Sequence, residues 1–459
     1  MKRVAGEPPA FELSEWEPAA ILPGVQLGER DRLLAAALGE GEGRLIVDEL
    51  QTGIRVRPTS WIGVVQFEGF EVRVVPKLVG GNLGVVEMID YASGLDALAR
   101  FGAVRRLSLA PAGRLVDLLG LLLAESSERL VRDGLLQDYV EREETLGTVR
   151  GRLLPAEQVE RHFGRVDRLE CRFDELETDI PENRLLALGL ALARRVCRDP
   201  EVRRRLARVH GVVADACDTL EIEPESLIQS ISYHRRNAHY RTAHAYARYF
   251  IERLGVTDMF APGGGRSFAF LLDMNVLFEQ FVTRLLEDAF AGSDVRVTAQ
   301  RRDRSLILNE ATWRPYASVI PDILLESREG GVRRRVPVDA KYKLYDERKL
   351  DPADVYQVFF YSYAYASKVG DVGTQTTAFI VYPASAGSKG TRLRVRNQDG
   401  ITGARLRAVP LDVQVTLAAI RDRRTASYPG LEPIYLAVSD ACPTRADLGG
   451  SGSTDCGAP

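Results

Sequence analysis

The chain has 459 residues, 45% apolar and 27% charged, with a formal net charge of −3. That length is too great for one ordinary core and predicts two or three domains of a soluble globular protein. The five cysteines are scattered with no C-x-x-C pair, which argues against a zinc site and a disulfide framework and fits a reducing cytoplasm. The most apolar run, 115–124, is interrupted by Asp117 and falls far short of a membrane span. Met1-Lys2-Arg3 leads into a polar stretch, so no secretory leader is expected.

Residues 1–80 read as a β-rich domain. Gly53-Ile54-Arg55-Val56-Arg57 and Phe70-Glu71-Val72-Arg73-Val74 alternate as half-buried strands do, with Trp61 to Phe67 between them. One short helix is expected at 30–38. Residues 81–260 read as mainly helical: 115–130 with Gly134 as its stop, and 183–197 with Arg194 and Arg195 where cations suit the helix dipole. Val149-Arg150-Gly151-Arg152-Leu153 reads as a basic loop. His234, His239 and His244 stand five apart and do not share a helix face, which argues against a metal role.

A linker-like Ala261-Pro262-Gly263-Gly264-Gly265 opens the third region, 261–438. A helix is predicted at 271–290 with Glu279 at the border of its apolar stripe. Strands follow at 295–298, 305–308, 319–325 and 336–342, then a helix capped by Asp351-Pro352 and carrying Gln357 and Tyr361 on one face. A further strand is expected at 377–382. Residues 439–459 are rich in Gly, Ser, Thr, Asp and Pro and are expected to be disordered.

Chemistry concentrates in the strands of this region. Pro321-Asp322 and Asp339-Ala340-Lys341 place one acid on each of two strands, with Asp339 and Lys341 on a common face. Such a pair can hold a hard cation and steer an anionic substrate. From 296 to 349 there are 13 Lys/Arg against 8 Asp/Glu, a local charge of +5 in an acidic chain. Only seven of the 61 basic residues are lysine, and Lys341, Lys343 and Lys349 are three of them.

Pro321-Asp322 with Asp339-Ala340-Lys341 resembles the PD-(D/E)xK nuclease signature, Glu279 its helix acid, and Gln357 to Tyr361 the Q-x-x-x-Y element of its RecB-like branch. More narrowly, the chain resembles the McrC subunits of McrBC modification-dependent restriction systems. That likeness rests on 270–279, on Asp339 to Lys343, and on Gly63-Val64-Val65, Val74-Val75-Pro76-Lys77, 146–152 and Asp179-Ile180-Pro181-Glu182-Asn183-Arg184. The resemblance implies an α+β multidomain chain with a restriction-endonuclease-like C-terminal core. It implies a Mg²⁺-dependent DNA endonuclease that cuts double-stranded DNA carrying modified cytosine. The partner would be a separate McrB-like AAA+ GTPase, which the N-terminal domain would help to engage. Asp322, Asp339 and the Ala340 carbonyl would hold Mg²⁺, Glu279 would join them or order a water, and Lys341 would orient the nucleophile or offset phosphorane charge. Gln357, Tyr361 and Lys343 would support the site. No G-x-x-x-x-G-K-[ST] loop is present, so no nucleotide is expected on this chain itself. Two other assignments stay open: a non-catalytic activator of the GTPase, and a nuclease working without one.

Overall fold

The computed structural model describes residues 9–41, 43–95, 114–217, 223–254, 267–329, 332–369, 372–374, 377–396, 398, 402–422, 428 and 430–438. The predicted linker at 261–265 and the tail at 439–459 lie outside them. The chain opens with β1 (Ala10–Ser14), β2 (Ala20–Pro23), α1 (Glu29–Gly39), β3 (Leu45–Leu50), β4 (Gly53–Pro58), β5 (Trp61–Gln66) and β6 (Glu71–Val75). The alternation read in β4 is realised: Ile54 and Val56 are buried, Arg55 and Arg57 exposed. β2, β4 and β3 form one small antiparallel sheet, and β1, β6 and β5 belong to a second.

The middle region contains α2 (Gly81–Ala92), α3 (Leu115–Asp133), α4 (Pro155–His162), α5 (Pro181–Val196), α6 (Pro200–Ala214), α7 (Pro224–Ser230) and α8 (Arg241–Leu254). Gly134 follows α3 with φ 93°, where a Cβ would be strained. Among these helices stands a three-stranded sheet where helix and loop are expected from the sequence. It consists of β7 (Asp138–Leu146), β8 (Arg152–Leu153) and β9 (Leu169–Glu177), in the order β7-β9-β8. Its strands lack an apolar alternation to detect. β7 is exposed along most of its length, and cross-strand charge pairs such as Arg142–Glu177 and Arg172–Glu143 lie on the ladder.

The third region does not begin with a helix. β10 (Phe268–Asp273) pairs antiparallel with β5, completing the sheet β1-β6-β5-β10, so a backbone ladder crosses the boundary expected near 261. Gly63 makes this possible: its φ is 138°, and a Cβ there would stand 2.1 Å from the Phe270 carbonyl oxygen. Only then does α9 (Met274–Ala289) start, capped by Asp273. After it come β11 (Arg296–Ala299), β12 (Asp303–Leu308), β13 (Pro315–Val319), β14 (Ile323–Glu329), β15 (Val332–Ala340) and α10 (Pro352–Ala364). The described chain ends with β16 (Ser367–Val369), β17 (Val372–Thr374), β18 (Thr377–Pro383), β19 (Thr391–Arg396), β20 (Thr402–Leu411), α11 (Val413–Arg421) and α12 (Glu432–Val438).

Six of these strands form the main sheet, in the order β11-β14-β15-β18-β20-β19. β14 runs antiparallel to both its neighbours, β11 and β15, whereas β15, β18 and β20 are parallel. The two faces are separate. Val338, Ala340, Phe379 and Val381 join Phe278, Phe281 and Leu285 of α9. Ala378, Ile380 and Ala408 pack instead with Val358 of α10. The first cluster runs on without interruption into the N-terminal sheets and the helices, from Phe11 to Val438. The architecture is therefore a mixed α/β molecule in which one core serves most of the elements. None of the described helices is long and apolar enough to cross a membrane.

Candidate active site

The ladder between β14 and β15 places the two acids. Ile323 pairs with Val338, so the next position outward sets Asp322 opposite Asp339. The single strand expected at 319–325 is broken here: β13 ends at Val319 and β14 begins at Ile323, leaving Ile320-Pro321-Asp322 as a turn. Proline supplies no N–H, and the turn is fixed from α10 instead. Tyr361 donates its hydroxyl hydrogen to the Ile320 carbonyl (2.9 Å), and Gln357 Nε2 donates to the Tyr361 hydroxyl (3.0 Å). The Q-x-x-x-Y pair is thus a brace behind Asp322.

Asp322 Oδ2 accepts the Ala340 N–H at 2.9 Å. Asp339 is completely buried, and neither of its carboxylate oxygens has a hydrogen-bond partner. Lys341 Nζ lies 2.9 Å from Asp339 Oδ2, close enough for an ion pair but out of line for a hydrogen bond. Burial, and then the neighbouring Asp322, push the Asp339 carboxyl up to about 7 against the pull of Lys341. Burial works against the Lys341 charge, but Asp339 and Asp322 outweigh it and raise the ammonium's pKa. A buried carboxylate without hydrogen bonds costs on the order of several kcal/mol. A bound cation would remove that cost.

Glu279 projects from α9 toward the same place. Its carboxyl is raised by burial and by Asp322, and it accepts a 2.5 Å hydrogen bond from Gln300 Nε2. Gln300 also donates its backbone N–H to the Asp322 carbonyl (2.8 Å) and sits at φ 47°, rarely adopted by a residue other than glycine. It ties the helix acid to the Asp322 turn, and no motif or spacing in the sequence points to it. Lys343, expected to support the site, donates to Asp354 at 2.7 Å and fastens the end of β15 to the first turn of α10. Among the described residues no set of three or more His, Cys, Asp or Glu side chains stands close enough to hold an ion. The oxygen donors that do fit a hard cation are Asp322, the orphaned oxygens of Asp339 and the Ala340 carbonyl between Asp339 and Lys341, with waters completing the shell. Glu279 stands beside this set.

One further connection starts at the residue after Lys341. Tyr342, 1% exposed, donates its hydroxyl hydrogen to Glu15 Oε1 at 2.6 Å, and its ring packs on Phe278. Glu15 also accepts the backbone N–H groups of Lys77 (2.7 Å) and Leu78 (3.2 Å). The Val75-Pro76-Lys77 landmark therefore meets the strand of Asp339 through one buried carboxylate. The histidines belong to a different place. His244 is buried with Nδ1 2.9 Å from the Tyr233 hydroxyl and Nε2 2.9 Å from the Glu182 carbonyl.

The McrBC 5-methylcytosine restriction system component family matches residues 56–383. A chain from the half-complex of Thermococcus gammatolerans McrB AAA+ hexamers with bound McrC aligns with a TM-score of 0.57 and 16% identity, covering 93% of this chain and all of that one. Another, from the cryo-EM structure of the Thermococcus gammatolerans McrBC complex, aligns with a TM-score of 0.45 and 18% identity over 61% of this chain and 88% of its own length. No curated protein matches. The first of these alignments speaks for a shared fold. The family match covers the strands and helices that carry Glu279, Asp322, Asp339, Lys341 and Tyr361, and the chain belongs to the McrBC restriction-system family.

Proposed function

We propose that this chain is the nuclease subunit of a modification-dependent restriction system: a Mg²⁺-dependent DNA endonuclease that cuts phosphodiester bonds and activates a separate AAA+ GTPase. The observation that carries this reading is Asp339, buried with both oxygens lacking a hydrogen bond, between Asp322 and Lys341. The order α9, β11, β14, β15, α10, β18, with an antiparallel trio leading into a parallel strand, supports a PD-(D/E)xK core.

Bound Mg²⁺ would polarise the phosphodiester and supply a nucleophilic water near neutral pH. Asp322 and Asp339 would hold the cation, and Tyr361, Gln357 and Gln300 fix the turn that aims Asp322. Lys341 places its ammonium beside the scissile phosphate, where charge grows in the transition state. Glu279, held by Gln300, orders water at the edge of the site. No Ser-His or Cys-His pair is required, because no side chain acts as a covalent nucleophile.

The GTPase partnership rests on the family and on the sequence, which has no phosphate-binding loop with the required lysine. In one of the aligned structures McrC is bound to McrB AAA+ hexamers. The test is a cleavage assay on a 5-methylcytosine-containing plasmid and its unmodified copy, with this chain, the AAA+ protein from the same host, GTP and Mg²⁺. Cleavage confined to the modified plasmid, and lost in EDTA or without the partner, is expected. Cleavage that ignores modification and partner would favour a free-standing nuclease.

A further inference from the structure

Between β11 and the Pro321-Asp322 turn the chain makes an excursion that the site does not use. β12 and β13 form a two-stranded antiparallel ribbon of their own, outside the six-stranded sheet. At its base Val319, Leu306 and Ile307 pack with Tyr361, Tyr365 and Leu324, so the ribbon shares its footing with the brace behind Asp322. Beyond that base it stands in solvent: residues 310–318 are all exposed.

Its composition is unlike an ordinary exposed hairpin. Trp313 is 75% exposed and Tyr316 76%, and no described residue covers them. The backbone at Trp313 is fixed by the turn. Its main-chain N–H donates to the Asn309 carbonyl (2.7 Å), while Asn309 Oδ1 accepts the N–H groups of Ala311 and Thr312 (3.0 Å each). This turn keeps Trp313 at φ 52°, a strained backbone for an aromatic residue. The ribbon and its approach, 301–319, carry four arginines against Asp303 and the exposed Glu310, a net charge of +2. Arg301 is committed to the carboxylate of Glu326 at 2.6 Å, but Arg302, Arg304 and Arg314 are exposed and make no ion pair among the described residues. The nearby Asp303 is occupied by Ser305 at its own turn.

We infer that the ribbon is a DNA-gripping arm, with Arg302, Arg304 and Arg314 on backbone phosphates and Trp313 packed against base edges in the adjoining groove. The inference rests on the nuclease reading and extends it. A duplex whose scissile phosphate lies at Asp339 must pass the base of the ribbon, because β13 leads into Asp322 within three residues. At roughly 3.3 Å per residue the strands reach past several phosphates, which follow one another every ~1.7 Å of duplex axis when both strands are counted. Unpaired guanidinium groups answer that charge, and an exposed indole carried on a fixed turn answers the apolar part of a groove. A protein partner would also accept an exposed tryptophan and arginine, but nothing else in the structure places one at this turn.

The test uses the full chain carrying Asp339→Asn, which keeps any duplex intact, and a fluorescein-labelled duplex oligonucleotide in fluorescence anisotropy across a salt series. Adding Arg302→Ala, Arg304→Ala and Arg314→Ala together is expected to weaken binding tenfold or more and to flatten the slope of log affinity against log salt by about 2 to 3. Trp313→Ala should weaken binding with the slope unchanged. Unaltered affinity and slope in the triple variant would overturn the arm. So would a parent chain that holds no duplex at low salt, or variants that keep DNA and lose co-elution with the AAA+ protein. Cutting by the Asp339→Asn chain would refute the catalytic assignment alone, leaving the binding comparison to judge the ribbon.

Discussion

Two buried polar clusters in this molecule behave in opposite ways. In the helical region Asn183, 0% exposed, donates to the carbonyls of Leu136 (2.9 Å) and Thr178 (2.7 Å) and accepts the Tyr240 hydroxyl at 2.7 Å. Asn237 and His244 close the same network onto Glu182, its side chain and its carbonyl respectively. At the end of the main sheet Asp339 is just as buried, yet its two oxygens find no hydrogen bond. The first cluster is complete within the chain and serves to fix one fold. The second meets only the ammonium of Lys341, and the proposed cation site rests on that difference.

Substitutions should separate the two. The largest effect is expected from Lys341→Ala, which should reduce DNA cleavage by roughly a thousandfold, the scale of losing a group that meets transition-state charge. Its urea midpoint should fall only modestly, because the buried Asp339 carboxyl, already raised to about 7, takes up a proton once its ion-pair partner is gone. Asn183→Ala should do the reverse. Stranding the carbonyls of Leu136 and Thr178 and the Tyr240 hydroxyl should cost about 3 kcal/mol of stability, read by urea unfolding. Any cleavage lost should follow the folded fraction.

The helical cluster also has a pH signature. Burial holds the His244 imidazole down at about 4, against an ordinary 6.5. Its pKa is depressed on folding, so the unfolded chain takes up the proton first. Stability is complete above about 6.5 and is lost as pH falls toward 4, by on the order of 3 kcal/mol. A His244→Gln variant followed over the same range should be less stable at neutral pH and flatter in slope. A wild type whose urea midpoint does not fall on acidification would show that the imidazole is not held neutral. The smallest effect is expected from Tyr361→Phe, which leaves the Ile320 carbonyl without its donor and loosens the turn before Asp322. Cleavage should fall about fivefold, mostly in kcat, for an expected loss of ~1 kcal/mol.

How much of this is legible in the sequence differs between the clusters for physical reasons. Asp322, Asp339 and Lys341 can be read because strand alternation is local and an acid in an apolar run is conspicuous. Gln357 and Tyr361 can be read because i,i+4 places them on one helix face. Gln300 cannot: its part depends on a left-handed backbone and on a helix acid 21 residues earlier. The Glu15–Tyr342 contact spans 327 positions and leaves no trace in either neighbourhood. Phe268–Asp273 reads partly as helix because a short apolar run has no period to betray it. The β7-β9-β8 sheet escapes notice because it is charged on its exposed strand and carries no alternation.

The contrast between the clusters comes to its sharpest point in the Asp339→Asn chain, assayed with its AAA+ partner, GTP and Mg²⁺ while its melting temperature is recorded beside wild type. Removing a buried charge that lacks hydrogen bonds should leave the melting temperature equal or higher and abolish DNA cleavage. A variant that melts as wild type does and still cuts would contradict the claim that Asp339 is kept unsatisfied for catalysis.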